Sequence, residues 1–176
     1  MKNTYFLLLC IVFLFSSCSK DDGSPDEVKD VIITPNVGIG NISFQDNGHK
    51  VIDVYGPYER LTSVGGGGQT AFVMWFENGL GIQLDSVDTR GLSLQEVVNM
   101  SSELIDLDQP IITMVIMSPF DAATKEGVGL GSNRSEVISA FGEPDNNFGS
   151  AELYDDINMG FTYNSENILR RIDLFK

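Results

Sequence analysis

The run Val51-Ile52-Asp53-Val54-Tyr55-Gly56-Pro57 occurs again, little altered, as Val137-Ile138-Ser139-Ala140-Phe141-Gly142-Glu143-Pro144. Upstream, Ile42 and Phe44 correspond to Val128 and Leu130. Downstream, Asn78-Gly79-Leu80-Gly81-Ile82-Gln83-Leu84 corresponds to Ile157-Asn158-Met159-Gly160-Phe161-Thr162-Tyr163 through a Gly-x-aromatic-or-Ile frame. A chain that repeats its apolar spacing in this way builds one unit twice. The spacing between blocks is wider in the first copy, which therefore has the longer middle, and the run Gly65 to Gly68 falls in it.

The second copy shows what the unit is. Asn133 can cap a helix, with Glu136 placed to close a capping box. Val137, Ile138 and Phe141 then share one face, Gly142 suits a positive φ at the helix end, and Pro144 forbids continuation. Strands are predicted over roughly 152–155, 159–164 and 169–175. Met159, Phe161 and Tyr163 alternate there with Gly160, Thr162 and Asn164, as on a sheet with one dry face. In the first copy Val51–Tyr55 is β-branched and ambiguous by itself, and reads as helix because its counterpart does. Gln69–Phe76 and Leu80–Asp85 read as a hairpin turning at Asn78-Gly79, with Ile111–Met117 as the third strand. The expected fold is α+β: two tandem repeats, each a short helical segment packed on a three- to four-stranded antiparallel sheet. Repeat 1 spans 37–119 and includes an insertion, 86–110, in which Leu94, Val97, Val98, Leu104 and Ile105 suggest a partly helical flap. Repeat 2 spans 120–176.

The N-terminal segment has a different role. Lys2 is followed by eleven apolar residues, Tyr5 to Phe15, and then by Ser16-Ser17-Cys18. That is the charged start, apolar middle and small-residue cleavage zone of a secretory signal, here 1–17, and it is too short for a permanent membrane helix. Leu14-Phe15-Ser16-Ser17-Cys18 resembles the lipobox of bacterial lipoproteins, with Phe15 where Leu is usual. The resemblance implies that Cys18 carries acyl chains, which together anchor stably. Ser19-Lys20-Asp21-Asp22 resembles the acidic signal that sends some lipoproteins to the outer face of the outer membrane. The alternative is a periplasm-facing anchor. Residues 18–36, with Gly23, Pro25, Pro35 and five acidic side chains up to Asp30, have the composition of a flexible tether.

The second-copy motif, Gly127-Val128-Gly129-Leu130-Gly131-Ser132-Asn133-Arg134-Ser135-Glu136-Val137-Ile138 followed by Phe141-Gly142-Glu143-Pro144-Asp145, resembles the repeat of two groups. One is the small lipoprotein subunit of the outer-membrane β-barrel assembly machinery; the other is the β-lactamase inhibitor protein, which carries the repeat in tandem. The resemblance spans roughly residues 37–176. It implies a fold and, by its structural character, little about function.

Chemistry is sparse. A formal net charge of −14 disfavours nucleic acid, whose phosphates need a basic surface. Of the two cysteines, Cys10 lies in the leader and Cys18 is the lipidation candidate, so no thiol remains for a disulfide, a metal or a nucleophile. His49 is the sole histidine and is expected on the first turn of helix one, facing solvent; no G-x-S-x-G elbow accompanies it. Gly65–Gly68 lacks the Lys-Ser/Thr of a phosphate cradle, and Gly127-x-Gly129-x-Gly131 lacks the dinucleotide spacing. Asp155 and Asp156 near Glu152, Asp106/Asp108 and Asp85/Asp88 form no calcium loop. No catalytic residue, metal or cofactor is expected.

One stretch resists a structural account. Ala71-Phe72-Val73-Met74-Trp75-Phe76 is apolar on both faces. A two-residue turn at Asn78-Gly79 would set Trp75 opposite Ile82 and Val73 opposite Leu84, making that the core face. Phe72, Met74 and Phe76 would then lie on the wet face, either covered by the 86–110 insertion or the second repeat, or forming a surface for a protein partner. The function expected is a non-catalytic, surface-anchored binding module. The alternatives are an accessory of envelope assembly and an inhibitor of a secreted hydrolase.

Overall fold

A computed structural model describes residues 31–66 and 68–176. The leader 1–17, Cys18 and most of the tether lie outside them. In chain order the elements are strands β1 (Val31–Thr34), β2 (Gly38–Ile39) and β3 (Ile42–Ser43), then helix α1 (Gly48–Tyr55), then β4 (Arg60–Gly66), β5 (Gln69–Trp75), β6 (Leu80–Leu84) and β7 (Val87–Asp88). Helices α2 (Leu94–Asn99) and α3 (Ser101–Leu104) precede β8 (Ile111–Met117) and β9 (Ala122–Thr124). Helix α4 (Arg134–Phe141) is followed by β10 (Asn146–Phe148), β11 (Ala151–Tyr154), β12 (Met159–Tyr163) and β13 (Leu169–Phe175). The class is α+β.

Both predicted helices form, with similar terminal geometry. Asn47 accepts from the Lys50 N–H at the start of α1, and Asn133 and Glu136 make the expected capping box on α4. Gly56 and Gly142 end the two helices at φ 82° and 86° with extended ψ, and each donates its N–H to the carbonyl of Ile52 or Ile138. Helix followed by four strands thus occurs twice, α1 with β4, β5, β6 and β8, and α4 with β10 to β13, an order compatible with the repeated sequence pattern.

The strands of both sets join in one sheet, in the order β10-β11-β12-β13-β8-β6-β5-β4, with β7 on the end of β5. The seam is antiparallel β13–β8, from Arg171 opposite Met117 to Phe175 opposite Thr113. A second, smaller sheet runs β3-β2-β1-β9, with β1 parallel to β9. Val51 and Val137 from the helices, Ile33, Ile39 and Ile42 from the small sheet, and Ile82, Ile116, Phe161, Ile172 and Leu174 from the large sheet share one core.

Two expectations are corrected here. Val31–Thr34, which the composition of 18–36 assigns to the tether, is a strand with Ile33 1% exposed: four consecutive β-branched residues, Val31 to Thr34, outweigh Pro35 in that short window. The second correction concerns β5 and β6. Val73 lies opposite Gln83, Met74 opposite Ile82 and Trp75 opposite Gly81. The Phe76 N–H donates to the Leu80 carbonyl and the Gly79 N–H to the Phe76 carbonyl, so three residues, Glu77 to Gly79, form the loop. Gly79 adopts φ 86°, as the third residue of such a loop requires. Its Cα also sits so close to the strand β8 end that a Cβ would meet the Met117 carbonyl oxygen at 2.2 Å. One extra loop residue turns every β5 side chain to the opposite face. Phe72, Met74 and Phe76, 1%, 0% and 5% exposed, are core residues. They share their face with Leu61 and Ser63 of β4, the strand against which α2 and α3 pack.

Truncating Phe76 to Ala should therefore cost about 3–5 kcal/mol. Phe148→Ala, at a site 65% exposed, should stay within about 0.5 kcal/mol. Thermal unfolding of the two variants would check the register; equal melting temperatures would refute it.

Candidate functional site

The shifted register puts Trp75 on the face of the large sheet opposite α1 and α4. Across that face runs a row of paired residues: Arg60, Trp75, Gly81, Val115, Asp173, Gly160 and Leu153. A parallel row holds Met117, Arg171 and Thr162, and on the other side Phe175 pairs with Thr113. Trp75, Arg171 and Leu153 are half-buried, Met117 is 39% exposed and Phe175 36%. Among the described residues no helix lies over this face: α1 and α4 contribute to the core on the other side, and α2 and α3 lie against β4.

Trp75 is held from three sides. Its Nε1–H donates to Thr62 Oγ1 at 2.9 Å, the Arg60 guanidinium lies 5.3 Å from the ring centroid, and Gly81 lies under the ring. A Cβ on Gly81 would stand 2.7 Å from Cζ3 of Trp75, so only glycine lets the indole lie flat on β6. Gly160, the counterpart of Gly81 in the repeated pattern, is approached in the same way, by Leu153 at 3.1 Å and Phe175 at 3.4 Å from where a Cβ would be. Beside Trp75 a cleft of about 420 Å³ is lined by Glu59, Arg60, Trp75, Met117, Ser118 and Arg171 among others. Arg171 is steadied by Asp173, which accepts from Nη2 at 2.6 Å and from Nε at 2.8 Å. The same carboxylate raises the guanidinium's pKa.

Trp75 was legible as a large aromatic but, with the loop misread, was assigned to the core. The linear pattern does not show Arg60 and Arg171 beside it, since they come from strands β4 and β13, far apart in the sequence. His49 is on the first turn of α1 with its side chain 61% exposed, 3.6 Å from Asp108. Glu152 stands apart from the exposed Asp155 and Asp156. It is 4% exposed, pairs with Arg134 Nε at 2.5 Å, and lies on the core face with Tyr154 and Tyr163. Burial drives both tyrosine hydroxyls upward in pKa, Tyr154 to about 12, with the Glu152 charge adding to it. Among the described residues no group of three or more His, Cys, Asp and Glu is placed to hold a metal ion. Cys18 lies outside the described residues.

No protein-family model matches the chain, and no curated protein matches it. A crystal structure described as a "putative beta-lactamase inhibitor protein" from Streptococcus mutans covers 82% of this chain and 90% of its own at 11% identity, with a TM-score of 0.27. At that TM-score the likeness carries no argument; the α+β class stands on the elements themselves.

Two outcomes follow from this geometry. Gly81→Val should lift the Trp75 ring from the sheet, costing about 1–3 kcal/mol and red-shifting tryptophan emission; unchanged emission would contradict the packing. Folded Tyr154 keeps its proton up to about pH 12, whereas an unfolded tyrosine loses it near pH 10. The stabilisation is thus complete below pH 10 and is lost as pH rises from there toward 12. Melting temperatures should fall between about pH 10 and 12, and fall less in Tyr154→Phe.

Proposed function

We propose that this chain is an exported lipoprotein, held at the outer membrane through Cys18, whose domain is a non-catalytic binding module for a protein partner. The leader and the lipobox-like Leu14–Cys18 support the anchor, and the acidic residues after Cys18 support the cell surface over the periplasmic side. The binding role rests on one observation. A single continuous sheet has its helices on one face, and the other face presents Trp75, Met117, Arg171 and Phe175 to solvent. Tryptophan, methionine and arginine on a rigid surface are the residue types that dominate protein interfaces. The partner surface expected at Phe72, Met74 and Phe76 thus moves to the opposite side of the same strand.

A photo-crosslinking side chain placed at Met117 or Phe175 in intact cells should give a discrete adduct with one protein, whereas one at the exposed Glu166 should not. The binding reading fails if the two face positions give no adduct or the same smear as Glu166. External protease should release the domain from intact cells; protection would place it on the periplasmic side.

A further inference from the structure

We propose that the cleft beside Trp75 seats a partner segment in which one carboxylate side chain stands next to a large apolar one. This rests on the sheet face being the binding surface, and it names the chemistry that surface selects. The chain holds 25 acidic residues against 11 lysines and arginines, yet two guanidiniums, Arg60 and Arg171, line this one cleft. Arg60 is exposed and takes part in no ion pair among the described residues. Its guanidinium lies 5.3 Å from the Trp75 ring centroid and makes no side-chain hydrogen bond among the described residues, so its N–H donors are open to a carboxylate, which a guanidinium can receive in bidentate fashion. Arg171 commits Nε and Nη2 to Asp173 and keeps Nη1.

The remaining walls decide what surrounds that carboxylate. Trp75, the only tryptophan of the chain, and Met117 offer an indole face and a flexible thioether to an apolar side chain. Glu59 also lines the cleft and the whole chain is acidic, so a second carboxylate is repelled. The fit is to an isolated acidic residue beside an apolar one, and a polyacidic tract is excluded. A cationic segment would meet the Arg60 and Arg171 guanidiniums.

Because Trp75 is the sole tryptophan, its fluorescence reports on the cleft directly. The full chain in detergent would be titrated with three hexapeptides sharing Gly and Ser flanks around a central Asp-Phe, Lys-Phe or Asp-Ala. Asp-Phe should shift the emission saturably, with the other two weaker by about tenfold or more. Arg60→Met should weaken Asp-Phe by a similar factor and remove its advantage over Lys-Phe, and Arg60→Lys should restore part of it. Equal binding of Lys-Phe and Asp-Phe, no saturable shift, or indifference to Arg60→Met would overturn the proposal. Adducts at Phe175 in cells together with such a result would refute the cleft chemistry alone; loss of the adducts would refute the binding face itself.

Discussion

The antiparallel pairing of β13 with β8 governs this structure. Without it there would be two four-stranded ribbons, each with one principal helix, α1 or α4, and too little apolar area to exclude water well. With it, Met114 and Ile116 from one half and Ile172 and Leu174 from the other form a common floor, and both helices lie on the same side of it. The seam therefore creates two unlike faces. One is dry and closed by α1, α4 and the small sheet. The other is a broad platform held together by backbone hydrogen bonds and not by any side chain that could be lost singly.

Local signals made the helices and most of the second half readable. Asn133, Glu136, Gly142 and Pro144 are short-range punctuation and fixed α4 without tertiary help. The failures have equally local causes. Asn78-Gly79 has the sequence of a two-residue turn, but Glu77 joins it in a three-residue loop, and Gly79 packs against the end of β8, a contact nearly forty positions downstream. A single residue of slip exchanged core for surface along all of β5. Strands β4 and β10 escaped notice because edge strands such as Arg60–Gly66 and Asn146–Phe148 have a ladder on one side only and little apolar alternation. The platform itself was illegible, since its arginines and its methionine meet Trp75 only through sheet order.

The glycines at 81 and 160 show how the repeated pattern is used twice for different ends. Each removes a side chain from the middle of the platform, and each hollow is filled from a neighbouring strand. In the first half the filler is an indole braced by Arg60 and Thr62; in the second it is Leu153 and Phe175. The backbone solution is shared, while the chemistry offered to solvent differs between the halves.

Strand β1 occupies an inner place in the small sheet, antiparallel to β2 of the first half and parallel to β9, the strand that leads toward α4. The chain at Val31 is thereby fastened to both halves at once. Peeling that strand away would break two ladders together, bare Ile33 and leave two raw edges, so the first described strand is also a clasp that keeps the two halves from parting.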